Sequence, residues 1–160
     1  MQKQSLLLIL IFFFSACAGH TRQNPLSENQ FALQSEAIVD AIANTPYSAL
    51  IRITSLNRID IPCTEKFDDY SEQKIICHAD VIETYRGEIQ KNISYVMYVE
   101  KGEEPNFPET AFIITLCKSN EGFYWPGVGA IFSADIRLRT LAKEISKQAE
   151  NKQMIFEDCE

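Results

Sequence analysis

Long hydrophobic runs are scarce in this 160-residue chain. The longest, Leu6 to Phe14, has nine residues, too few for a membrane-spanning helix, which needs about 20. Histidine is scarcer still: there are two, His20 and His78, which leaves little imidazole for acid–base or nucleophilic chemistry. Lys and Arg number 15 against 22 Asp and Glu, a formal net charge of −7. Such a chain lacks the basic surface that nucleic acid and anionic head groups reward. No C-x-x-C pair is present, which argues against a zinc site built from Cys63, Cys77, His78 and Cys117. Asp68-Asp69 and Glu103-Glu104 lack the dense oxygen spacing of a calcium loop. Pro126-Gly127-Val128-Gly129 lacks the spacing of a phosphate-cradling loop. Cys77 and His78 are adjacent in a strand-like stretch, so they face opposite ways and cannot form a thiol–imidazole pair. These absences predict a protein without catalytic residues, cofactor or bound metal.

The N-terminus is more informative. Lys3 supplies a short positive segment, Leu6 to Phe14 an apolar one, and Ser15-Ala16 the small residues that precede a cleavage site. The run Phe14-Ser15-Ala16-Cys17 resembles the lipobox of bacterial lipoproteins, with Phe14 where Leu is usual. The resemblance implies cleavage before Cys17, a diacylglycerol on its sulfur and an acyl chain on the freed amine. It also implies attachment to the cell envelope through that residue. Ala18, rather than Asp, follows the cysteine, which resembles the pattern that enteric-type bacteria send to the outer membrane, facing the periplasm. The expected organisation is a signal peptide over 1–16, a lipidated tether over 17–25 and a single domain over 26–160.

Removing Cys17 leaves an even number of cysteines: Cys63, Cys77, Cys117 and Cys159. In an exported chain that suggests two disulfides, with three connectivities open. A Cys63–Cys77 bridge would close the loop between two strands, worth roughly 3 kcal/mol by loop entropy. Cys117–Cys159 would then tie the C-terminal tail to the body.

Ser27-Glu28-Asn29-Gln30 matches a capping box, with Leu26 and Phe31 placed as a hydrophobic staple. A helix is therefore expected from Ser27 to about Asn44, ended by Pro46. The period then changes to two. Strands are expected at Ala49–Thr54, Lys74–Arg86, Ile93–Val99, Ala111–Cys117 and, shorter, Gly129–Phe132. Asp135 to about Gln148 reads as a closing helix capped near Ser133, with Leu138, Leu141, Ala142, Ile145 and Ala149 on one stripe. Five short strands with an amphipathic helix at either end predict a mainly β fold, a small five-stranded OB-type barrel. Ile51, Ile53, Val81 and Ile114 are expected to share one core with Leu141 and Ile145.

Val81-Ile82-Glu83-Thr84-Tyr85-Arg86-Gly87, followed by a turn, a β-run and Phe112-Ile113-Ile114-Thr115-Leu116, resembles the netrin-like pattern. That family includes the inhibitory domains of tissue inhibitors of metalloproteinases and many bacterial exported proteins. It implies an OB-type barrel over roughly 47–145. In those inhibitors the free amine of an N-terminal cysteine chelates the target's zinc. Here the corresponding amine, on Cys17, is expected to be acylated, so the resemblance does not carry that activity over.

The best binding candidates are Phe123, Tyr124 and Trp125, three consecutive aromatics flanked by Gly122 and Pro126-Gly127. They are expected in the loop between strands four and five, placed to stack on a sugar, a peptide or an apolar patch of a partner. The competing reading has Phe123 and Trp125 folded back to cap the open barrel end. The sequence thus predicts a lipid-anchored binding or assembly module of the envelope that holds another envelope protein or a glycan. The alternative is a structural or inhibitory accessory lipoprotein with no small-molecule site.

Overall fold

Ser27 opens the fold. Its hydroxyl accepts the Gln30 amide at 3.4 Å while Gln30 Oε1 accepts the Ser27 amide at 3.2 Å, so both halves of the capping box form. Helix α1 (Glu28–Asn44) follows. The computed structural model describes residues 25–61, 72–105, 107–127, 129–149 and 159. After α1 come β1 (Tyr47–Asp60), β2 (Glu72–Arg86), β3 (Asn92–Glu100), β4 (Phe112–Ser119), β5 (Gly122–Tyr124), β6 (Ile131–Ser133) and helix α2 (Ile136–Ala149). Among the described residues no helix is long and apolar enough to cross a membrane.

The strands run β1-β2-β3-β5-β4, and β1 pairs again with β4, so the five close into a barrel. All pairings are antiparallel except β3–β5. The expected mainly β barrel with a helix at either end is present. Its fifth strand, however, is Gly122–Tyr124 rather than Gly129–Phe132. A three-residue strand that starts on a glycine shows no readable alternation, yet it supplies the pairing that joins β3 to β4. The later segment forms β6, an extra strand beside Phe112–Ile114 of β4.

The apolar residues divide into two cores, not the single one expected. Ala49, Ile51, Ile75, Cys77, Ala79, Tyr95, Met97, Phe112, Ile114 and Leu116 fill the barrel, with Ile53 and Val81 against them. Outside the wall, Leu50, Ile113 and Phe132 meet Ile38 and Ile42 of α1 and Leu138 and Ala142 of α2. Leu141 and Ile145 belong to this second core. Strand alternation is the cause: β4 sends Phe112, Ile114 and Leu116 inward and Ile113 outward under the helices. That is why all six residues from Phe112 to Cys117 are buried.

Tyr85 shares parity with Ile75 and Cys77 but lies in the outer core. Between Ile51 and Leu50 the partner on β2 jumps from Val81 to Glu83, so Ile82 is an extra residue. Such a bulge reverses the faces beyond it. Tyr85 is therefore turned to the helices, and Arg86 reaches the end of α1, donating to the carbonyls of Ile42, Ala43 and Thr45 at 2.5–3.2 Å. Gly87 completes the turn at φ +72°, where a Cβ would come within 2.7 Å of the Pro46 carbonyl. The Tyr-Arg-Gly stretch picked out in the sequence thus has a structural use at each position.

Asp135 does the capping expected near Ser133. Its Oδ1 accepts the Arg137 amide at 2.8 Å and its Oδ2 the Leu26 amide at 3.0 Å. Those two bonds join the start of α2 to the entry of α1.

Candidate functional site

β4 has one edge occupied by β1, at Phe112–Leu116. Its other edge is shared: β5 pairs with Cys117–Ser119 and β6 with Phe112–Ile114. β5 also pairs with β3, but only at Tyr95 and Val96. Among the described residues, the end of β3 beyond Val96 has no strand beside it on that side, β6 has none beyond it, and the barrel wall they form is open there.

A groove of about 660 Å³ occupies this opening. Met97, Val99, Phe107, Trp125 and Ile131 give it an apolar lining, and Glu72, Glu100, Glu103 and Glu104 stand around it. Phe107 is held by stacking on Phe112, ring centroids 5.9 Å apart. Glu104 is neutralised by a two-pronged pair with Arg58, at 2.5 and 3.0 Å. Glu72, Glu100 and Glu103 have no cationic partner among the described residues. Nearby, Asp60 is held below the usual carboxylate range by hydrogen bonds from Gln73 and Lys101. An aromatic, apolar groove with uncompensated carboxylates at its rim suits a ligand that is apolar in its middle and cationic at its periphery.

The three aromatics expected to act together are separated: Phe123 and Tyr124 lie in β5 and Trp125 just beyond it. Phe123 packs toward the barrel, edge-on to Tyr47 at 5.0 Å and 82°. Tyr124, its neighbour in β5, borders a smaller surface pocket of about 130 Å³ that Phe123 also lines. Trp125 alone reaches the main groove; its amide donates to the Val96 carbonyl at 2.8 Å and its ring packs on the barrel core. Phe123 thus folds back on the barrel as the capping alternative has it, and Trp125 packs on the core while lining the groove. Sequence reading missed the groove residues Met97, Tyr98, Val99, Glu100 and Phe107. No signal in the sequence marks them as a groove, because the three residues of β5 are too few to show a strand period.

Cys117 and Cys159 are joined by a disulfide, Cα atoms 5.3 Å apart, so the expected tie of the C-terminus is made. Cys77 corrects the expected second bridge: it carries a free thiol, fully buried in the barrel. Its inward position among apolar residues makes it a core side chain, and burial pushes the thiol up to about 11. The Tyr95 hydroxyl is buried in the same core and has no partner at bonding geometry among the described residues. Cys63 and Cys17 lie outside the described residues.

His78 stands on the outer face, as expected, with Nδ1 2.7 Å from Ser94 Oγ across the β2–β3 ladder. The adjacent Asp80 is engaged by Asn92 at 2.8 Å, and neither His78 nor Ser94 lines the groove. Among the described residues no three His, Cys, Asp or Glu side chains converge on a metal position.

Comparison with protein-family models and with curated proteins finds no match to this chain.

Proposed function

We propose that this protein is a non-catalytic binding module of the bacterial cell envelope, netrin-like in kind and anchored through acylated Cys17. Its ligand is held in the open barrel wall. The observation that carries the reading is the groove itself: an apolar lining with Trp125 and Phe107, bordered by Glu72, Glu100 and Glu103, which no cation among the described residues neutralises. A folded domain rarely leaves such a surface open without a use, and an apolar, aromatic lining of this kind suits capture of a partner. A lipid anchor suits capture as well, because it confines the module to one surface and raises its effective concentration toward envelope partners. The bound species is an envelope protein; the outer membrane, facing the periplasm, is its proposed location.

Two variants test the two halves. Cys17→Ser should abolish incorporation of labelled fatty acid and release the protein from membranes; unlabelled protein that stays membrane-bound would sink the anchor. The double reversal Glu100→Lys, Glu103→Lys changes two exposed positions, so the thermal midpoint should hold while crosslinked recovery of the partner from intact cells falls. Equal recovery would remove the groove from the reading.

A further inference from the structure

The hydrogen-bond phase of the strands shows what the opening is shaped to take. Val81 donates to the Lys91 carbonyl at 2.8 Å, one step beyond the Asp80–Asn92 pair of the β2–β3 ladder. In an antiparallel ladder bonded and non-bonded pairs alternate. The odd residues of β3 therefore direct their backbone groups to β2, and the even ones direct theirs away. Val96 agrees, since its carbonyl accepts the Trp125 amide on the far side. Two residues on, the Tyr98 N–H and C=O point the same way, and neither has a partner among the described residues.

β6 gives the matching edge. Thr115 donates to the Ala130 carbonyl at 2.9 Å, so on this ladder Phe132 faces β4 and the backbone of Ile131 faces away from it. Ser133 confirms the phase, because its amide also turns from β4 and donates to Gln34 Oε1. The Ile131 N–H and C=O have no partner among the described residues. Tyr98 and Ile131 both line the groove. Two unpaired strand edges thus border one apolar opening.

We infer that this opening is a strand-addition site for an extended, basic segment of a partner protein, a reading that rests on the groove proposed above. The segment hydrogen-bonds to the Tyr98 edge of β3 and, across the opening, to Ile131 of β6. Alternate side chains lie on the apolar lining, and the others meet the carboxylates. Peptides that add to an open sheet edge gain affinity from main-chain bonds and specificity from alternate side-chain contacts. Natural proteins guard exposed edges with lysine, proline or bulges, whereas Met97-Tyr98-Val99 carries none of these and Tyr98 is half exposed. Charge selects the occupant: Glu72, Glu100 and Glu103 favour lysine or arginine and oppose a second copy of a chain whose own net charge is −7.

The test uses the full-length protein purified in detergent and a synthetic peptide of about ten residues, long enough for one strand, that alternates valine and lysine. Trp125 is the only tryptophan in the chain, so its emission reports on the groove alone. Saturable emission change together with slowed amide exchange at Tyr98 and Ile131 is expected. A valine–glutamate peptide, and a valine–lysine peptide N-methylated at alternate residues, should each bind about tenfold more weakly or worse, as loss of one net hydrogen bond or charge contact requires. Tyr98→Pro should fold, since that N–H is not used by β2, and should lose the peptide to a similar degree. Equal binding by the N-methylated peptide would overturn strand addition and leave the groove as a site. Absence of binding by the valine–lysine peptide would likewise overturn this inference alone. Binding that protects amides elsewhere, with Trp125 emission unchanged, would overturn both. Protection at Tyr98 that rises with protein concentration in the absence of peptide would assign the edge to a second copy and overturn the proposal.

Discussion

Replacing Arg86 with alanine should be among the most damaging single changes in this domain. Arg86 is 7% exposed and its Nη1 donates to three carbonyls at the end of α1, those of Ile42, Ala43 and Thr45. The last carbonyls of a helix lack intrahelical partners and carry the negative end of its dipole. α1 has no basic residue of its own in its last turn, so this role falls to a strand residue more than forty positions away. A charge-assisted hydrogen bond contributes about 1.5–3 kcal/mol, and stranding a buried acceptor costs about 1–3 kcal/mol. Together they predict a loss of about 3–5 kcal/mol, a large share of the roughly 5–15 kcal/mol that holds a typical domain. Urea unfolding followed by far-ultraviolet circular dichroism measures it, with Arg86→Lys, which keeps the charge but not the reach, expected between the two. Native-state amide exchange should show the last turn of α1 opening first in Arg86→Ala. A midpoint within about 0.5 kcal/mol of wild type, at unchanged slope, would mean that water satisfies those carbonyls and that Arg86 does not join helix to barrel.

Four further outcomes are expected. Ile114→Ala, at a fully buried position in the barrel core, should cost about 2–5 kcal/mol in the same assay. Asp135 is held down at about 2, first by its hydrogen bond from Arg137, against an ordinary 3.8. A carboxylate with a lowered folded value stabilises above its unfolded value and loses that contribution as the pH falls through the folded one. At 1.36 kcal/mol per unit this amounts to about 2 kcal/mol lost between roughly pH 4 and pH 2, and Asp135→Asn should flatten the stability profile there. The buried Cys77 thiol, raised to about 11, should resist iodoacetamide at pH 8 until denaturant is added, as peptide mapping would show. Reducing Cys117–Cys159, which spans 42 residues, should lower stability by about 4 kcal/mol on loop entropy.

Local signals in the sequence were reliable where chemistry is local. Ser27 and Gln30 announce the start of α1 because a capping box needs only four residues. The Ile75-Cys77-Ala79 alternation announces β2 because every inward position is apolar. The assignment of those inward positions to one shared core failed because it depends on what covers the outer face, and a run such as Phe112–Leu116 is apolar on both. The free thiol of Cys77 was hidden for the same reason: an even cysteine count suggests pairing, but which way Cys77 points depends on closure of the barrel. Phe123, Tyr124 and Trp125 looked like one platform in the sequence, and strand pairing set Trp125 in the groove apart from the other two. The groove was the least legible feature. It arises from a mismatch in length between β3 and β5, with β6 displaced along β4, and no residue pattern encodes that mismatch.

The most direct test is a photocrosslinking amino acid placed at Tyr98 in one strain and at Ile82 in another, both expressed at native level in intact cells. Tyr98 borders the groove, while Ile82 is a similarly exposed residue at the bulge of β2. Crosslinking at Tyr98 to one envelope protein, through an extended segment rich in lysine or arginine and with no adduct at Ile82, is the predicted result. Adducts of equal yield at both positions, or at Ile82 alone, would contradict the assignment of binding to the open barrel wall.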